Sequence, residues 1–253
     1  MKIAPQVMNI SNKMILVPEN HQFPELGFLA DEAMLAEYHN RIQKYSENAR
    51  NVLNIFQYDA AEKVIQGSNP FGCVELASKD LALPSELEHA VRLSPAAFKG
   101  IYVDLALLLR AAGDSYSPND YLAKHLAEQI KHRTGKVPTP ELPARISLKG
   151  LTLEEDNTSH YGLVFKLGEQ TETLLVPEYS HENNGKRFSK TNERGVPIFN
   201  DGGNRYFWTR QGGLSRLCLG RGSSLYSNDD YLAGSDAVGR VPVVKGAAGA
   251  EKF

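Results

Sequence analysis

The spacing of the apolar residues changes near residues 137–144, and this change constrains the fold more than any other feature of the sequence. From residue 24 to residue 135, apolar residues recur at intervals of three and four, which is typical of amphipathic helices. After residue 144 they alternate with polar residues, which is typical of strands with one buried face. The segment in between, VPTPELPA, contains three prolines in eight residues and predicts a linker.

We therefore expect an α+β protein with two domains. A helical N-terminal domain is predicted for residues 1–136, and the proline-rich linker follows at 137–144. Residues 145–253 are predicted to form a small antiparallel β barrel or sandwich with a long basic loop. Long ordered loops often carry function, so this loop is a candidate region for binding.

The composition is that of a folded protein without a strong overall charge. With 42% hydrophobic residues in 253, the chain has enough apolar material for one large or two modest cores. Cys73 and Cys218 could form at most one disulfide, which favours a reducing compartment. No apolar stretch approaches the roughly 20 residues needed to cross a bilayer. We therefore expect a cytoplasmic protein that does not interact with membranes.

The first predicted helix carries an apolar stripe with heptad spacing. The stripe residues are Leu35, Tyr38, Ile42, Tyr45, Ala49, Val52 and Phe56. The first interpretation is that this stripe packs against other helices of its own domain. The second is that it forms a short coiled coil with another protein chain or a second copy of this one. On the second interpretation the partner interface consists of Leu35, Tyr38, Ile42, Tyr45, Val52 and Phe56.

Three further helices are predicted from their start and stop signals, and the first of them is capped by Ser85 and runs to about Leu93. Ser94 and Pro95 precede the apolar run IYVDLALLLRAA, which Gly113 follows, and this pattern predicts a buried central helix. Ser117 and Pro118 precede YLAKHLAEQIKHR in the same way. The cations in the last turn of that helix suit the negative end of the helix dipole.

Two hairpins are predicted in the C-terminal half. In the first, residues 161–167 pair with 171–179 across a two-residue loop. That register places His160, Tyr179 and His181 on one face, where they could act as general acid and base on a phosphodiester. Surface histidines at strand ends are the alternative interpretation, and the sequence does not decide whether these three residues form a catalytic site.

The second hairpin joins RYFWTR to LSRLCLGR around Gly212 and Gly213. Its register places Tyr206 and Trp208 on the same face as Leu217 and Leu219. On this interpretation both aromatic rings belong to the core.

Positive charge is concentrated in residues 186–221. This stretch has eight Lys and Arg against two Asp and Glu, so its charge is +6 while the rest of the chain sums to −8. Cations interleaved with aromatic rings are typical of surfaces that hold single-stranded nucleic acid. The alternative is that the rings point inward and the arginines only solvate the outer face. The candidate nucleic-acid-binding residues are Lys186, Arg187, Phe188, Lys190, Arg194, Arg205, Arg210, Arg216 and Arg221.

These patterns favour a non-enzymatic binding and assembly protein. Its β domain would engage nucleic acid, preferably single-stranded, and its helical stripe would contact a protein partner. One alternative is a structural interaction protein, such as a component of a virus-like particle or multiprotein complex, that does not contact nucleic acid. A second alternative is a phosphodiesterase or nuclease. The sequence lacks the phosphate-binding patterns GxxxxGKS/T and GxGxxG, and we assign no catalytic residue, metal or cofactor.

Overall fold

The computed structural model of the protein describes residues 7–10, 13–16, 23–245 and 250–252. The α-helices of these residues are α1 (Glu32–Arg41), α2 (Glu47–Leu53), α3 (Pro70–Ala77), α4 (Pro84–Leu93) and α5 (Ser117–Thr134). Short 3-10 helices lie at Ile42–Lys44, Pro95–Phe98, Pro177–Tyr179 and His181–Asn183. In this part of the chain, no helix is both long and apolar enough to span a bilayer.

The strands of the described residues are distributed along the whole chain. In the first half they are β1 (Val7–Ile10), β2 (Lys13–Leu16), β3 (Leu26–Leu29), β4 (Gln57–Asp59), β5 (Val64–Gln66) and β6 (Val103–Leu109). The next are β7 (Ala144–Ser147), β8 (Leu151–Glu155), β9 (Leu163–Leu167), β10 (Thr173–Leu175), β11 (Arg187–Thr191) and β12 (Pro197–Phe199). The last are β13 (Arg205–Thr209), β14 (Leu214–Leu219), β15 (Leu225–Ser227), β16 (Pro242–Val244) and β17 (Ala250–Lys252).

A curled, eight-stranded sheet organises the fold. Its strand order is β10-β7-β6-β14-β15-β13-β11-β12. Neighbouring strands are antiparallel except β13 and β15, which are parallel. Smaller sheets combine β3 with β16 and β17, β4 with β5, and β8 with β9. The strands β1 and β2 pair with each other.

The prediction of a helical N-terminal domain followed by a small barrel or sandwich is wrong. The run predicted as the central helix forms β6, which pairs with β14 on one side and β7 on the other. Every residue of Val103–Leu109 is buried, and a continuous apolar run fits a strand covered on both faces as well as it fits a buried helix. Strands from before and after the segment 137–144 therefore hydrogen-bond within one sheet.

Apolar clusters cover both faces of the sheet at β6. Leu107 and Leu109 contribute to the cluster that includes α1, α2, α3 and α5. Val103, Ala106 and Leu108 contribute to the cluster that includes α4 and the 3-10 helix at Pro95–Phe98. Side chains of both halves of the chain are thus buried together on each face.

The predicted apolar stripe is buried inside the chain itself. Leu35, Tyr38, Ile42, Tyr45, Val52 and Phe56 are each at most 8% exposed and belong to the first cluster. The predicted single helix is interrupted at Tyr45, which has an extended backbone between the 3-10 helix and α2. The partner interface placed on these residues is therefore corrected to core packing, since all six side chains are buried in this chain.

The helix predicted after Ser117 and Pro118 is confirmed as α5. It ends at Gly135, which has the left-handed φ of 73° that glycine adopts most readily. The stop signal is therefore where it was predicted, whereas the N-cap is Tyr116 and Ser117 is the first helical residue.

Both predicted hairpins are wrong. The strand β9 pairs with β8, and β10 pairs with β7, so residues 161–167 and 171–179 do not face each other. The strand β15 lies between β13 and β14 and separates the two arms of the second predicted hairpin. This insertion removes the register that had placed Trp208 beside Leu217.

Candidate nucleic-acid interface

Two aromatic rings lie on the outer face of β13. Side chains alternate along a strand, and here Arg205, Phe207 and Thr209 point into the protein while Tyr206 and Trp208 point outward. The outer rings are stacked, with centroids 5.8 Å apart and planes inclined by 18°. Trp208 is 36% exposed. The protein therefore presents a preformed aromatic platform to solvent.

Two exposed cations lie at the start of β11, and Arg187 borders this platform while Lys186 lies against Phe199. Arg187 pairs with Tyr206 across the strands, and its Cζ lies 5.1 Å from the centroid of the tyrosine ring. Lys186 Nζ donates to Asn183 Oδ1 at 2.7 Å and lies 6.0 Å from the centroid of Phe199. Both arrangements are cation–π contacts that leave positive charge at the surface.

An open pocket of about 600 Å³ lies next to these cations. Its lining residues are Gly185, Lys186, Arg187, Phe199, Asn200 and Asp201. The turn after β12 forms one wall and is fixed by Asn200 N, which donates to Arg187 O at 2.9 Å. We call Lys186, Arg187, Phe199, Tyr206 and Trp208 together the basic–aromatic patch.

Two of the predicted binding residues are part of the interior. Arg205 forms a bidentate ion pair with Glu88, at 2.6 and 2.7 Å, and its Cζ lies 4.4 Å from the centroid of Phe188. Phe188 is fully buried. Neither side chain can contact a ligand at the surface, so their assignment to a nucleic-acid interface is corrected.

Three more predicted arginines are paired with aspartates. Arg210 binds Asp114 at 3.0 Å and Asp230 at 3.2 Å. Arg216 binds Asp229 and donates to Gly234 O. Arg221 binds Asp236 at 2.7 Å, in an ion pair that is largely exposed. These carboxylates lie outside residues 186–221, so a charge count over that stretch could not include them.

The last two predicted cations differ in exposure. Lys190 follows a β-bulge in β11 and is exposed. Arg194 is partly buried, and this burial lowers the pKa of its guanidinium. The predicted cations that remain exposed in this region are therefore Lys186 and Arg187, with Lys190 further along the same strand.

The three residues considered for acid–base catalysis do not form a site. Tyr179 is fully buried, its hydroxyl donates to Gly195 O at 3.2 Å, and burial raises its pKa. His160 is exposed in the turn before β9, where its carbonyl accepts from Asn48. His181 begins a 3-10 helix beyond Tyr179. The common face inferred from the first hairpin disappears with that hairpin.

A buried polar cluster that was not predicted from the sequence surrounds Asp104. Ser68 Oγ donates to Asp104 Oδ2 at 2.6 Å, and Tyr102 Oη donates to Oδ1 at 2.9 Å. Burial raises the pKa of the Asp104 carboxyl. Because Asp104 and Ser68 are both buried, we assign the cluster to the interior structure. Over the described ranges, no group of three His, Cys, Asp or Glu side chains is arranged to hold a metal ion.

Trp208 was predicted to lie in the core, but its side chain points outward. This orientation matters most for the candidate site. The orientation follows from pairing with the strand β15, which has only three residues and lies in a stretch rich in Ser, Gly and Asp.

Comparisons of the chain with models of known protein families, with curated proteins and with solved structures found no match.

Proposed function

We propose that this protein is a non-enzymatic binding protein that holds single-stranded nucleic acid on the basic–aromatic patch. The observation that carries the proposal is the exposed Trp208 stacked on the half-buried Tyr206, with Arg187 over the tyrosine ring and Lys186 next to Arg187 in the chain. Bases stack on such rings with roughly 1–3 kcal/mol each, and cations beside the rings neutralise the phosphates.

The geometry favours single strands over duplexes. In a duplex the base faces are stacked on each other and cannot reach a ring on a protein surface, whereas the bases of a single strand are free to do so. The platform offers ring faces, and the three cations Lys186, Arg187 and Lys190 all lie on or beside β11. Three phosphate contacts imply weak binding with a salt slope of roughly −2, at about −0.7 per phosphate.

A cytoplasmic location is part of the same proposal. Cys73 and Cys218 are both free and buried, which is compatible with a reducing compartment.

The first prediction concerns the aromatic platform. We expect Trp208→Ala to weaken binding of a fluorescent dT12 oligonucleotide by about 5- to 150-fold, which corresponds to roughly 1–3 kcal/mol for one stacked base. Fluorescence anisotropy at low salt measures this affinity. Trp208→Phe keeps a ring at the position and should retain most of the binding. Equal affinities of Trp208→Ala and the wild type would place the nucleic acid on another surface.

The second prediction concerns the cations. Reversing Lys186 and Arg187 to glutamate should flatten the plot of log affinity against log salt by about 1.4, because two phosphate contacts are lost. The matched control is Arg221→Glu, which reverses an arginine that is 62% exposed and lies outside the patch. The control should leave the slope unchanged.

The result that contradicts the proposal is the absence of binding by the wild type at low salt. An acidic protein surface would then replace nucleic acid as the expected partner of the patch. A slope that changes equally in the control and in the patch variant would also contradict the proposed location.

A further inference from the structure

The pocket beside the platform contains a carboxylate as well as cations. Asp201 lines it together with Lys186 and Arg187, so groups of opposite charge border the same space. Lys186 donates to Asn183, Arg187 lies over Tyr206, and within residues 23–245 neither is ion-paired with Asp201. A site that only held phosphates would not gain from a carboxylate here, because the carboxylate repels them.

A short turn fixes the position of Asp201. Asn200 N donates to Arg187 O at 2.9 Å before it, and Gly203 N donates to Asn200 O at 3.2 Å after it. A Cβ atom at Gly203 would lie 2.4 Å from Phe188 N, so the turn packs directly on β11. The position of Asp201 at the pocket is therefore set by backbone contacts of its neighbours.

The groups around the pocket define the chemistry of a matching ligand. The carboxylate accepts two hydrogen bonds side by side, and the cations favour phosphate. Among the bases, guanine has two adjacent donors, N1–H and N2–H, on its Watson–Crick edge. Adenine and cytosine pair one amino donor with a ring acceptor, and thymine has a single N–H between two carbonyls.

We propose that this pocket accepts a guanine base of the bound single strand, with Asp201 accepting from N1–H and N2–H. The proposal rests on the proposed function and adds a base preference to it. The pocket volume of about 600 Å³ falls within the roughly 300–1,000 Å³ that is usual for small-ligand sites. Single-stranded nucleic acids are commonly read through this edge of unstacked bases.

Anisotropy measurements with three labelled oligonucleotides test the proposal. The probes are dT12, dT12 with one central guanine, and dT12 with one central hypoxanthine, which keeps N1–H and lacks the N2 amino group. We expect the wild type to prefer the guanine probe over dT12 by about 5-fold or more, as is usual for a bidentate contact. The hypoxanthine probe should lie between the two.

The decisive variant is Asp201→Asn. It should abolish the preference for guanine and, because one negative charge is removed beside the phosphates, should bind dT12 at least as tightly as the wild type does. A lost guanine preference together with an undiminished affinity for dT12 distinguishes loss of base recognition from a general loss of binding. The matched control is Glu193→Gln, which removes one exposed carboxylate from the same segment outside the pocket and should keep the preference.

Failure of this proposal is distinguishable from failure of the proposed function. If the wild type binds all three probes alike, or if Asp201→Asn keeps the guanine preference, the guanine site is wrong while single-strand binding stands. If none of the three probes binds at low salt, the proposed function fails and the guanine site fails with it.

Discussion

We expect Glu88→Ala to lower the free energy of unfolding by roughly 3–5 kcal/mol, because it leaves a buried arginine without its counter-charge. The side chain of Glu88 is 2% exposed and that of Arg205 is 10% exposed, so water cannot replace the lost carboxylate. The pair joins α4 to β13 across the second apolar cluster. Urea unfolding followed by far-UV circular dichroism measures the effect.

Two controls define the origin of this loss. Replacing both Glu88 and Arg205 by methionine should bring the stability back towards that of the wild type, because apolar residues of similar volume often substitute well for a buried ion pair. Arg221→Ala breaks an exposed pair and should cost less than about 1 kcal/mol. A loss below 1 kcal/mol in Glu88→Ala would show that Arg205 is solvated, and Arg205 would then be restored as a candidate ligand-binding residue.

The same ion pair shows why the candidate nucleic-acid interface could be predicted only in part. Of the cations counted in residues 186–221, Lys186 and Arg187 are exposed. The count could not show that Arg205 is neutralised by Glu88, which lies 117 residues away in the sequence. Which cations remain available is decided by contacts between distant segments, and these contacts depend on the fold.

The fold itself was predictable where its signals are local. The helix α5 begins with Ser117 and Pro118 and ends at Gly135, and each of these residues acts within one turn of the helix end. The strand β6 shows where such signals fail, because Ser94 and Pro95 before its apolar run begin only the 3-10 helix at Pro95–Phe98. The apolar run itself is equally suited to a buried helix or a buried strand. Its conformation is determined by hydrogen bonds to β7 and β14, whose residues lie far along the chain.

The exposure of Trp208 follows from the same non-local pairing. A strand places alternate residues on opposite faces, so the neighbour with which β13 pairs decides which residues are buried. With β14 as the neighbour, Trp208 was assigned to the core. With β15 as the neighbour, Phe207 pairs with Leu225 inside the protein and Trp208 is outside. The aromatic residue Trp208 could therefore be identified from the sequence, but the outward orientation of its side chain could not.

A second large loss of stability is expected from changes in the apolar stripe of α1 and α2. We expect the double substitution Tyr45→Glu and Val52→Glu to unfold the protein. Both side chains are buried, at 7% and 8% exposure, and an unpaired carboxylate costs several kcal/mol when it is removed from water. Tyr45 also donates to Glu75 Oε2 at 2.8 Å, so a glutamate at position 45 would face another carboxylate. Two such costs are comparable with the roughly 5–15 kcal/mol that stabilise a typical domain.

Far-UV circular dichroism and light scattering together separate core packing from a partner interface. If the stripe packs only inside the chain, the double variant loses its secondary structure, whereas Asn51→Glu on the exposed side of α2 stays folded with an unchanged mass. If the stripe contacts a second copy of the chain, the double variant stays folded and its mass falls, since only the association is lost. That second result would contradict the burial of Tyr45 and Val52 within one chain and would restore the interface first considered for this stripe.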